Sequence, residues 1–98
     1  MTKQAPITND QLYTALLSPE QPLETLLAYA IAQLSKLYSG EIFALQDLFE
    51  GFVWKRITFE NRLVLGKSFM NYISFDQGAQ HARLLEKGTA GQRLYARL

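Results

Sequence analysis

Apolar residues recur at helical spacing through the first half of the chain, and short alternating stretches follow near its end. Leu12, Tyr13, Leu16 and Leu17 make one stripe over residues 9–17, with Asn9 or Asp10 placed to cap it. Ser18-Pro19-Glu20-Gln21-Pro22 breaks that pattern. Leu23, Leu26, Leu27, Ala30, Ile31, Leu34 and Leu37 then predict a longer helix over 22–38. Pro22 suits its first turn, and Ser39-Gly40 stops it, with Gly40 as the left-handed cap.

Residues 41–45 are β-prone and follow a glycine, which predicts a brief strand. A short helix is expected over 46–54 from Leu48, Phe49, Phe52 and Val53, weakened by Gly51. Lys55-Arg56-Ile57 reads as a turn, and Thr58 as the N-cap of a helix running to about Ser74. On that helix Leu63, Leu65, Gly66, Phe69, Met70, Tyr72 and Ile73 gather on one side. Glu60, Asn61, Val64, Lys67, Ser68 and Asn71 gather on the other. Gly66 is expected to admit a close helix neighbour, and Arg62, near the helix start, to extend its guanidinium outward. A hairpin follows, residues 79–87 and 92–98 around Gly88-Thr89-Ala90-Gly91. In its second strand Leu94, Ala96 and Leu98 alternate with Arg93, Tyr95 and Arg97.

This order of elements predicts an α+β fold, a winged helix-turn-helix with an added N-terminal helix and a C-terminal β-hairpin wing. The strand at 41–45 is expected to join the hairpin in a small antiparallel sheet. The helix at 9–17 would pack on the core or on a second copy. Residues 1–8 read as a flexible polar head and 9–98 as a single domain.

Charge adds a second layer. Net charge is +1, yet residues 1–50 hold two cations against six carboxylates, a net −4, and residues 51–98 hold eight against three, a net +5. A basic half is what one anion-facing surface requires. The expected partner is therefore double-stranded DNA. Helix 58–74 would enter the groove, presenting Asn61, Lys67, Ser68 and Asn71; Lys55 and Arg56 would lie at the turn; Lys87, Thr89, Gln92 and Arg93 would follow phosphates from the wing. Glu60 shares the groove-facing surface and opposes phosphate binding. It favours the rival reading, a non-catalytic adaptor of the same fold that binds a protein partner through its acidic, apolar N-terminal half. For the DNA-binding reading, the helices at 22–38 and 9–17 offer apolar surface for a homodimer through the N-terminal helices.

The remaining chemistry is sparse. There is no cysteine and one histidine, His81, so no zinc set is expected, and neither metal nor cofactor is called for. Gly88-Thr89-Ala90-Gly91 lacks the Lys-Ser/Thr and helix of a phosphate loop. Asp47 and Glu50 stand three apart, with Asp47 expected to cap or face solvent near a helix start, and no serine sits beside a histidine, so catalysis is not expected. Trp54 reads as a core side chain, with stacking on a single-stranded base as its alternative. Apolar runs such as 26–32 fall short of the ~20 residues of a membrane span, and Met1-Thr2-Lys3-Gln4 leads into no apolar signal segment. A cytoplasmic location is expected.

Phe43-Ala44-Leu45-Gln46-Asp47-Leu48-Phe49, then Trp54, then Leu65-Gly66-Lys67-Ser68-Phe69, with Tyr95 as a late tyrosine, resembles a small bacterial family known only as a domain of unknown function. Its pattern is F-x-L-x-D-L-F, a following W, and LG-[KR]-x-F, over about residues 40–98. These are core-type positions, so the resemblance speaks to fold and implies no catalytic residue.

Overall fold

The computed structural model describes residues 7–85 and 92–98. Helix α1 (Asn9–Leu17) has the expected bounds, but its cap is Thr8 rather than Asn9 or Asp10. The Thr8 hydroxyl accepts from the Gln11 N–H at 3.2 Å, and the Gln11 side-chain oxygen accepts from the Thr8 N–H at 2.9 Å. This reciprocal pair satisfies a free helix-end donor along with the Thr8 N–H, which Asn9 and Asp10, already inside the helix, cannot do. Leu12 and Leu16 bury against the core, and Ile7 packs beside it.

Helix α2 (Leu23–Gln33) buries Leu26 and Ala30 completely and ends before the expected residue 38, tightening into a 3-10 turn, Leu34–Lys36. The Leu34 carbonyl there accepts from Arg97 Nε at 2.9 Å. Gly40 does adopt a left-handed conformation (φ 90°), but it turns the chain into the sheet, its N–H donating to the Arg97 carbonyl, and does not cap the helix.

Strand β1 (Ile42–Phe43) leads to a 3-10 turn, Leu45–Leu48, which Asp47 closes by accepting from the Ala44 N–H at 2.8 Å. Phe49 is extended (φ −121°, ψ 148°), so the helix expected at 46–54 cannot run through it. Helix α3 is instead Gly51–Arg56, with Gly51 at its start and Lys55 and Arg56 in its last turn. Ile57, 1% exposed, and Thr58 then connect it to α4 (Phe59–Phe75), where the Thr58 hydroxyl accepts from the Asn61 N–H as expected.

Gln21 clamps this junction from the α1–α2 loop. Its amide nitrogen donates to the Arg56 carbonyl at 2.7 Å, while its oxygen accepts from the Thr58 N–H at 3.1 Å and Asn61 Nδ2 at 2.9 Å. The residue is 6% exposed and held at φ 44°, a conformation that side-chain-bearing residues rarely adopt. One side chain thus joins the end of α3 to the start of α4.

After α4 come a 3-10 turn (Gln77–Gln80) and two antiparallel strands, β2 (Ala82–Leu84) and β3 (Tyr95–Arg97). Ala79 and Gln80, expected in the hairpin, belong to the turn. The sheet has the order β1-β3-β2, with Phe43 opposite Tyr95 and Arg83 opposite Ala96. Tyr95 fills the core face, ring centroids 5.6 Å from Phe43 and 5.1 Å from Phe69, while Leu98 is 47% exposed. Tyr95 and Ala96 are both buried and Arg97 only partly, so burial along β3 does not alternate strictly. Leu65, Phe69 and Ile73 of α4 complete the core beneath it.

Candidate nucleic-acid interface

Burying Leu65, Phe69 and Ile73 points the opposite side of α4 outward, and Glu60, Lys67 and Asn71 are exposed on it. Val64 lies among them, and Phe59 and Leu63 are also exposed, at 66% and 59%. Leu63 was expected on the packed side. Phe59 and Leu63 lie off the buried Leu65–Phe69–Ile73 row, which leaves their edge of the helix uncovered. Asn61 and Ser68 are half-buried at the other edge, and Asn61 is already tied to Gln21.

Lys55 and Arg56 are exposed at the end of α3. The Arg56 guanidinium carbon lies 5.5 Å from the Phe52 ring centre and 6.0 Å from that of Tyr13, so its charge is set against two aromatic faces. Gln92 and Arg93 are exposed ahead of β3. Lys87 and Thr89 lie outside the described residues, so ten expected contact positions reduce to eight that can be placed. Of these, Lys67 and Asn71 occupy the outward face of α4, and Lys55 and Arg56 the end of α3. Gln92 and Arg93 face the N-terminal half of α4 across a cavity of about 410 Å³.

That cavity was not anticipated. Phe59, Arg62, Leu63 and Gly66 of α4 form one side of it. A Cβ placed on Gly66 would meet nothing within 4 Å, so this glycine keeps space open and admits no close helix neighbour, contrary to expectation. Arg62 does not extend outward: its guanidinium lies over the Trp54 ring, 5.3 Å from the centroid. Its Nε is buried and has no hydrogen-bond acceptor among the described residues. Such an orphaned donor costs about 1–3 kcal/mol. Trp54 is half-buried, with Phe49 5.7 Å away and Arg62 upon it, an arrangement that supports the packing reading and leaves little ring face for a base. A lone arginine on an apolar helix face gives no sequence signal for this cavity; the Trp54–Arg62 contact arises only when α3 meets α4.

Tyr95 borders the same cavity, and burial pushes its phenol above the ordinary value of 10.0, with the Arg93 charge pulling it partly back. Among the described residues no cluster of three metal-binding side chains occurs, and no helix is long and apolar enough to cross a membrane. His81 is exposed and bonds through its backbone: its carbonyl accepts from Arg97 Nη1 at 2.8 Å and from the Leu98 N–H at 2.9 Å, and its N–H donates to the Gly78 carbonyl at 2.9 Å.

A family model described as "Domain of unknown function (DUF1413)" matches residues 28–97. The match reaches back into α2, further than the motif residues suggested, and leaves α1 outside. No curated protein and no solved structure matches the chain.

Proposed function

The chain belongs to the DUF1413 family, whose description carries no activity, and from its geometry we propose that it is a winged-helix DNA-binding module, a regulator or accessory factor. The observation that carries this reading is the order of elements. A helix, a strand, two helices joined by Ile57 and Thr58, and two antiparallel strands arrange as a sheet of order β1-β3-β2. In a winged helix the second of the paired helices enters the major groove and the strand connection follows the backbone. Here α4 takes that place and turns Lys67 and Asn71 outward. Lys55 and Arg56 precede it, and Arg93 stands at the base of the wing.

Binding of this kind is dominated by phosphate contacts and weakens steeply with salt. Fluorescence anisotropy of labelled duplex DNA tests it at two salt concentrations. Lys67→Ala combined with Arg93→Ala should lower affinity by about tenfold or more, each lost phosphate contact also flattening the salt dependence. Unchanged affinity in the double variant overturns the assignment of this face.

Phe59, Leu63 and Val64 support a second reading, the protein-binding adaptor. Exposed apolar residues beside Glu60 suit a protein partner better than phosphates. The expected interface in the N-terminal half then shifts toward α4, because Leu12, Leu16, Leu26 and Ala30 are already buried in the chain's own core. Homodimerisation through α1 and α2 would have to use what they leave exposed, chiefly Leu17. Absence of DNA binding at low salt, with a stoichiometric protein partner lost on Phe59→Ser, decides for the adaptor.

A further inference from the structure

The cavity beside α4 has the chemistry of a small-molecule site. Its volume of about 410 Å³ falls in the range of ligand pockets, roughly 300–1,000 Å³. Among the described residues that line it are two arginines, Arg62 and Arg93, and no carboxylate. The rest of the lining is mainly apolar and aromatic. Phe59 is 66% exposed, and its ring pairs with no other ring among the described residues. Arg62 supplies the directional element. Its guanidinium is fixed over Trp54, and its buried Nε–H lacks an acceptor. Burial closes Nε to an incoming oxygen and leaves the outer Nη groups as the donors that a carboxylate can meet end-on, a bidentate geometry for which the planar guanidinium is suited.

We propose that this cavity binds a small aromatic monocarboxylate, its carboxylate held by the outer Nη groups of Arg62 and its ring seated against Phe59 and Leu63 over Gly66. Arg93, which also lines the cavity, raises the local positive potential and draws the anion in. Gly66 leaves the room the ring occupies, since among the described residues a Cβ built on it would meet no neighbouring element within 4 Å. The site needs no DNA contact, so it stands whichever reading of α4 holds.

Nuclear magnetic resonance of the full chain provides the test, through the single tryptophan indole N–H of Trp54 and the Nε–H of Arg62. Titration with 2-naphthoate should shift both signals and saturate, with a dissociation constant of roughly 1 mM or tighter. The neutral 2-naphthylmethanol and the ring-less acetate should each bind at least about tenfold more weakly, because each lacks one half of the recognition. Arg62→Gln should weaken 2-naphthoate by about tenfold or more, removing a charge-assisted bidentate contact. Gly66→Leu fills the space from the helix without a backbone clash and should abolish binding while the protein stays folded. It keeps the test decisive even where Arg62→Gln disturbs packing. Absence of saturable shifts, equal binding of the neutral alcohol, or undiminished binding in Gly66→Leu each overturns the proposal.

Discussion

Gln21 shows how much a single side chain can hold together in so small a protein. It satisfies the last carbonyl of α3 and the N–H of Thr58 at once, and does so from a left-handed backbone conformation. Gln21→Ala leaves those part-buried groups without partners and keeps the strained φ, so stability should fall by about 2–4 kcal/mol. Gln21→Gly relieves the backbone and should fall by about 1 kcal/mol less. Urea denaturation of both variants separates the clamp from the strain. Tyr95 offers a second check, through pH. Burial raises its phenol above 10.0, so the folded state prefers the neutral ring. That contribution is complete below pH 10.0 and is lost as pH rises from there through the folded-state value, because the unfolded chain ionises first. Tyr29 and Tyr72 are raised by burial in the same sense. Tyr95→Phe should therefore flatten, without abolishing, the alkaline decline in denaturation midpoint. The resemblance marks Tyr95 as a core-type position, but neither its ring partners nor the Gln21 clamp is legible in the sequence, since both residues find their partners tens of residues away.

Elements were read well where the signal was local. The apolar stripe of α1 fixed its bounds, and Thr58 before Glu60 and Asn61 marked the start of α4. The local pattern misplaces α3 because Phe49 reads as part of a helical stripe, yet it packs 5.4 Å from the Tyr29 ring in an extended conformation. That is a tertiary contact overriding a local pattern. Helix α2 was read too long because the tightening at Leu34 accompanies a contact from Arg97, 63 residues on. Two glycines give opposite expectations at this scale. Gly66 lies within α4 with free space over it, so Gly66→Ala should raise stability by up to about 1 kcal/mol through helix propensity. At Gly78 an added Cβ would stand 2.5 Å from the Tyr72 ring and 2.8 Å from its backbone oxygen, so Gly78→Ala should cost about 1–3 kcal/mol. Thermal melts of the two variants should move in opposite directions.

Over the whole molecule, the sign of the charge asymmetry was plain in the sequence, but the use of each charge was not. Arg97 serves as a backbone staple, Arg62 lies on Trp54, and Arg56 faces Phe52 and Tyr13. Fewer cations are therefore free to meet an anion than the count implies, and Lys67 and Arg93 carry more of the argument. The α+β architecture followed from element order alone, whereas the cavity depends on how α3, α4 and the start of β3 converge. The strand order β1-β3-β2 has a consequence in time. The middle strand is the latest in sequence, and Phe43 must wait for Tyr95, more than fifty positions later, before either sheet edge has a neighbour. Closing such separations is slow compared with forming helices. A growing chain therefore carries its helices and an unpaired β1 until β3 emerges, a period in which that edge is open to pairing with another copy.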